Sequence, residues 1–117
     1  YGNHSRDFTY IDDIIDSIFI LIKRKRKIFN KKTSFEILNI GKGRSDKLID
    51  YISLIESYLN KKSKRHFLKL QTGDIVKTLA HTKKLKRITK KRNFTPIHVG
   101  VKKFVTWYLE YFKINKI

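Results

Sequence analysis

A small α/β fold, with about four helices and two or three short strands, is what this sequence predicts. Three observations predict it. Apolar residues recur at helical spacing in several stretches; two shorter stretches alternate apolar and polar residues; and turns carrying glycine separate the two kinds. The 117 residues suffice for one domain, taken as 1–117, but not for two.

The first helix is expected over 11–26. Ile11, Ile14, Ile15, Ile18, Phe19 and Ile22 recur at spacings of three, four and seven. Asp12 and Asp13 stand at the positive end of its dipole, and "KRKRK" (23–27) follows at the negative end. "SFEILNIG" then reads as a largely buried strand ended by Gly41. "GKGRSD" is a turn, with Ser45 as cap and Asp46 in the first turn of a helix over 46–60 that carries Leu48, Ile52, Ile55 and Leu59. "RHFLKLQ" alternates as a second strand, and "TGD" (72–74) turns after it. Thr82 caps a short helix over 82–89. Thr95 and Pro96 form a cap and first-position pair for the last helix, whose stripe is Ile97, Val101, Phe104, Val105, Tyr108 and Phe112. So thin a sheet leaves its edges open, which reads as a part that leans on a partner.

The net charge is +18, and there is neither cysteine nor methionine. Without cysteine there is no disulfide or cysteine zinc site, which fits a reducing, cytoplasmic setting. The absence of methionine and the start at Tyr1 suggest a processed chain or a piece of a longer one. "IFILI" (18–22) is far shorter than the ~20 residues of a membrane span. The charge admits a small basic nucleic-acid-binding protein. Against it, the clusters at 23–27, 31–32, 61–65, 83–87 and 90–92 fall at helix ends and loops, and the aromatics fall in stripes that read as core. Nucleic acid is therefore the weaker reading, beside drift towards lysine in an AT-rich coding sequence. The four histidines have no ligand spacing, and no metal site is expected.

One stretch carries chemistry. In "SRDFTYIDD" (5–13), Arg6 offers a planar fork of donors suited to phosphate or carboxylate. Asp7 need not neutralise it, because neighbours on a strand face opposite ways. The plain alternative is a surface arginine before an acid-capped helix.

"GNHSRDFTYIDDIIDSI", "FEILNIGKGR", "LIDYISLIESYLNKK", "LQTGDIVKTLAHTKKLKRI" and "TPIHVGVKKFVTWYLEYF" together resemble, in order and spacing, the C-terminal part of the extended short-chain dehydrogenase/reductases. The likeness is to the NAD-dependent nucleotide-sugar epimerases and dehydratases, most closely the UDP-glucuronate 4-epimerase group. The resemblance implies the small substrate-binding part of a Rossmann-type isomerase, with the NAD-binding domain absent from this chain. Arg6 would contact the nucleotide's phosphates. Gln71 and Asp74, in the counterpart of the family's Q-P-G-D turn, would hold the nucleoside, with Asp74 accepting ribose hydroxyls. In the intact enzyme NAD would take a hydride from the sugar C4 and return it to the opposite face, and the enzyme would be a homodimer. The sequence departs from the family at Thr72, Ser45, Asp46 and His81, which leaves a degenerate remnant as a further alternative. No catalytic or cofactor residue is expected here. The glycine-rich dinucleotide turn is missing, since "GKGR" (41–44) lacks its third glycine. Tyr58 and Lys62 have the spacing of the family's tyrosine–lysine pair, but at a helix end.

Overall fold

A computed structural model of the chain describes residues 2–24 and 36–114. Its elements are β1 (Ser5–Arg6), α1 (Ile11–Lys23), β2 (Asp46–Lys47), α2 (Leu48–Leu59), α3 (Lys83–Thr89) and α4 (Ile97–Tyr111). The chain divides into two compact units, one of residues 1–6, 45–78 and 96–117, the other of 7–44 and 79–95.

In the first unit β1 pairs antiparallel with β2, Ser5 opposite Lys47 and Arg6 opposite Asp46. The Leu48 N–H donates to the His4 carbonyl at 2.8 Å, extending the ladder by one bond. On its other side Ser5 bridges Lys77 in parallel: the Ser5 N–H donates to Val76 O (2.9 Å) and the Thr78 N–H to Ser5 O (3.1 Å). α2 packs on α4, and the buried apolar residues there are Val101 and Val105. The Tyr58 hydroxyl donates to His98 O at 3.0 Å, tying α2 to the first turn of α4. α2 ends on Asn60 in the left-handed region (φ 52°), with the Lys61 N–H closing onto Glu56 O.

In the second unit α1 packs on α3 around Leu85 and Ile88. α3 ends on Lys90 at φ 59°, its N–H donating to Lys86 O. The 41–43 turn is held by close approach to the segment entering α3. A Cβ on Gly43, which has φ +72°, would meet the Thr82 hydroxyl oxygen at 2.5 Å, and one on Gly41 would meet the Ala80 Cβ at 2.6 Å.

All four expected helices form, with shifted ends. α1 stops at Lys23, with Arg24 extended as its C-cap, and residues 25–26 of the expected helix lie outside the described residues. Ser45 and Asp46 do not start α2: Asp46 and Lys47 extend along β1, and the helix opens at Leu48 without a side-chain cap bond. Pro96, not Thr95, precedes the first helical residue of α4. Neither expected strand pairs among the described residues, and 34–35 of the first lie outside them. Residues 36–40, and likewise 65–70, carry no ladder. Alternation sets which side chains share a face, but a strand also needs an edge to bond, and neither segment bonds one among the described residues. The strands that do form are two-residue pieces, too short for a periodic signal.

The aromatics expected in the core are also a correction. Phe19, Phe104, Tyr108 and Phe112 are exposed, as is Trp107. α2 covers only the narrow line of Gly100, Val101 and Val105, so the α4 rings pack on one another instead, Trp107 against Tyr111 at 5.3 Å and Tyr108 against Phe112 at 4.7 Å.

Candidate functional site

The residues expected to bind substrate all lie in the first unit. Arg6 ends β1, half-buried, and its Nη1 donates to its neighbour's carbonyl, Ser5 O (2.9 Å), and to Val76 O (3.2 Å). The Val76 carbonyl thus receives both the Ser5 N–H and the Arg6 guanidinium. Both bonds come from the single nitrogen Nη1, and a guanidinium carries three further N–H donors on Nη2 and Nε. Val76 stands two residues beyond Asp74, at the exit of the turn in which the Asp74 N–H donates to Gln71 O at 3.1 Å. Gly73 takes φ +92° in that turn, with open space where a Cβ would stand, so it is needed for its conformation and not for room. The side chains of Gln71 and Asp74 are exposed.

Two acids of the opening segment, Asp7 and Asp13, are fixed inside the second unit. The Asp7 carboxylate accepts the N–H groups of Gly43 (2.9 Å) and Ala80 (3.0 Å), and Thr9 beside it accepts the Lys42 N–H (3.0 Å). Asp7 therefore fastens the 41–43 turn to the segment entering α3. Asp13, expected only to start α1, is buried and accepts the Thr95 N–H (2.7 Å) and the Lys91 ammonium (3.0 Å). Burial alone would raise its pKa, but these donors outweigh that and hold it below the usual value, while the same pairing raises Lys91 against its own burial.

Sequence reading missed a third carboxylate hub. Glu56 of α2 accepts the Ser63 hydroxyl (2.6 Å), the Ser63 N–H (2.9 Å) and the Arg65 guanidinium (2.7 Å). The two Ser63 donors and then Arg65 bring its pKa down from the ordinary 4.5 to about 2. Its only sequence signal was an acid on an amphipathic helix followed by "KKSKR". A depressed carboxylate stabilises the fold fully above pH 4.5, and this contribution is lost as the pH falls through about 2. Urea unfolding followed from pH 5 to 2 should show the chain weakening across that window, and Glu56→Gln should flatten the dependence there. Equal slopes in the two proteins would count against the assignment.

Tyr58 and Lys62 do not form a catalytic pair: the hydroxyl is committed to His98 O, while the ammonium lies 3.6 Å from Glu56. Arg65, Lys84 and Lys91, from three of the basic clusters, are likewise held in ion pairs by Glu56, Glu36 and Asp13. Among the described residues there is no group of three His, Asp or Glu side chains that could hold a metal ion, and no helix is long and apolar enough to cross a membrane.

No protein-family model matches the chain. It is 42% identical over 110 residues to an uncharacterized protein of Methanocaldococcus jannaschii, covering 94% of this chain and 32% of that protein. It is 33% identical over 120 residues to UDP-glucuronate 4-epimerase 2 of Arabidopsis thaliana, covering 97% of this chain and 28% of that one. Its structure matches that of the Bacillus cereus UDP-glucuronic acid 4-epimerase, solved in complex with UDP-glucuronic acid and NAD. The TM-score is 0.78 at 26% identity, and the match covers 94% of this chain and 33% of that one. The chain thus spans about a third of the length of the curated relatives it matches. It is a relative of the UDP-glucuronate 4-epimerases and corresponds to one part of such a protein, consistent with the C-terminal part that its motifs implied.

Proposed function

We propose that this chain supplies the nucleotide-sugar clamp of an enzyme like UDP-glucuronate 4-epimerase. Arg6 would meet the diphosphate, and Gln71 and Asp74 the nucleoside. The observation that carries this reading is the bond from Arg6 Nη1 to Val76 O. It ties the one planar cation of the opening segment to the strand piece leaving the Gln71–Asp74 turn. A guanidinium anchored by one edge is preorganised for an anion, because less side-chain freedom remains to be lost on binding.

The residues of this chain do not fit NAD. The two glycines of the 41–43 turn close onto Ala80 and Thr82 of their own chain, and the Gly43 N–H is already taken by Asp7. A dinucleotide turn instead needs free N–H groups and room for a pyrophosphate. NAD would therefore be held by residues of a Rossmann domain outside this chain, in an assembly that forms a homodimer. The chain alone would not interconvert UDP-glucuronate and UDP-galacturonate.

Calorimetric titration with UDP-glucuronic acid tests the clamp. Arg6→Ala should weaken binding roughly tenfold to a hundredfold, the worth of a charge-assisted hydrogen bond or two to phosphate. Equal affinities for the two proteins would overturn the assignment of Arg6, and turnover by the chain alone would overturn its role as a clamp only.

A further inference from the structure

α3 sorts its residues sharply between two sides. Leu85, Ile88 and Thr89 are buried, at spacings of three and one that put them on one side of the helix. The other side carries Lys83, Lys86 and Arg87, followed by Lys90, which caps the helix end. Spacings of three, four and seven from Lys83 line these four along one face. Lys83, Arg87 and Lys90 are exposed and Lys86 is half-buried. The remaining lysines of the run are taken elsewhere: Lys84 pairs with Glu36 (2.5 Å), and Lys91 with Asp13 and Asp16 (3.0 Å each). On the sequence alone the basic clusters fall at helix ends and loops; folding instead brings four of these cations into a row.

Nothing on this face offsets the charge. The sequence holds no acid between Asp74 and Glu110, and Lys83, Lys86, Arg87 and Lys90 make no ion pair among the described residues. The Lys86 ammonium lies over the Phe94 ring, 5.7 Å from its centroid, a contact that places it without neutralising it. Four like charges along about 10 Å of helix repel one another. A polyanion laid along the row would relieve that repulsion and release its own counterions.

The make-up of the face selects among polyanions. A membrane-surface helix offers apolar side chains to the headgroup boundary beside its cations, and both apolar residues of α3, Leu85 and Ile88, are buried. A single strand is held by rings on which its bases stack, and the ring at this face, Phe94, is half-buried with the ammoniums of Lys86 and Lys91 over it. A row of cations without rings or apolar side chains matches a phosphate backbone alone. A duplex presents about one phosphate charge per 1.7 Å of its axis, roughly twice the density of one strand.

We propose that the Lys83–Lys86–Arg87–Lys90 face of α3 binds the phosphate backbone of a nucleic-acid duplex without reading its sequence. This activity goes beyond the nucleotide-sugar clamp and does not rest on it, since α3 and Arg6 belong to different units.

Fluorescence anisotropy of the purified chain with a labelled DNA duplex of mixed sequence tests the proposal. A second, unrelated sequence should bind equally well. Four phosphate contacts should make the affinity fall roughly a hundredfold between about 0.05 and 0.2 M salt. Lys83→Gln combined with Arg87→Gln should lower the slope of log affinity against log salt by about 2. Both side chains are exposed and glutamine suits a helix, so the double variant should keep its circular dichroism spectrum. Lys64→Gln combined with Lys69→Gln removes the same charge from exposed positions of the other unit and should leave the slope as it was. Equal loss in the two double variants would assign the binding to net charge and overturn the face. Tighter binding to a single strand of the same length, or to phosphatidylserine vesicles at equal anion concentration, would overturn the choice of partner. Affinity indifferent to salt would overturn the proposal as a whole.

Discussion

Asp13→Ala is expected to destabilise the chain by about 2–3 kcal/mol, because it strips a buried ammonium and a backbone donor of their acceptor at once. Asp13 is 6% exposed and receives the Thr95 N–H at 2.7 Å and Lys91 at 3.0 Å. Without it Lys91, itself largely covered, keeps Asp16, whose carboxylate is mostly in water, and the face of the Phe94 ring. The Ser17 hydroxyl, which donates to the Asp13 carbonyl, would be untouched. Asp13→Asn keeps the Thr95 bond but not the charge, and should recover part of the loss. The measurement is urea unfolding at pH 7 of the wild type and both variants. The pH dependence follows from the directions of the two shifts. Asp13 is lowered, so its contribution is present above the ordinary carboxylate range and fades as the pH falls below it. Lys91 is raised, so its contribution is present below its ordinary 10.5 and fades above. A loss of under about 0.5 kcal/mol, the range of an ordinary surface substitution, would show that the pair is not a fastening.

Asp7→Ala should cost about 2 kcal/mol for a related reason: two backbone N–H groups, of Gly43 and Ala80, would lose one shared carboxylate. Their surroundings leave little slack. The 41–43 turn already sits against Ala80 and Thr82 closely enough that Cβ atoms on its glycines would collide, so the backbone cannot shift readily to find other acceptors. Asp7→Asn retains one acceptor oxygen and should fall between wild type and alanine. Thermal unfolding reads the difference, with a shift of several degrees expected for a chain of this size. Hydrogen exchange reads its place: the amides of Gly43 and Ala80 should lose protection in Asp7→Ala while those of α2 and α4 keep theirs. Unchanged protection at Gly43 and Ala80 would refute the role given to Asp7.

These two aspartates bear on how "SRDFTYIDD" works. Arg6 is held through Nη1 by two backbone carbonyls, and Asp7 and Asp13 are not spent on neutralising it. Asp7 and Asp13 are each occupied by backbone donors far along the chain, from Gly43 to Thr95. A chain of charge +18 with ten acids has used two of them as internal acceptors within twelve residues of its second position. The same economy governs Glu56, which gathers Ser63, Arg65 and Lys62 to the end of α2. Scarce carboxylates in a basic chain become organisers of loops, because each finds several donors within reach.

The four helices were legible in the sequence, since helical spacing is a local property and the turns between them carry Gly41, Gly43, Gly73 and Pro96. The segments that resemble nucleotide-sugar epimerases could be read for the same reason, as a linear order of motifs. Three things needed the tertiary structure. Ladders form between segments far apart, so 36–40 and 65–70 alternate like strands and join no ladder among the described residues, while Ser5, Arg6, Asp46 and Lys47 pair without alternating at all. Burial depends on what covers a face: Asp13 and Ser17 go inside and the isoleucines of α1 stay outside because the neighbour on the polar side is present, while the apolar side lacks a cover. The bond from Arg6 to Val76 joins positions 70 residues apart, a closeness that no spacing along the chain encodes.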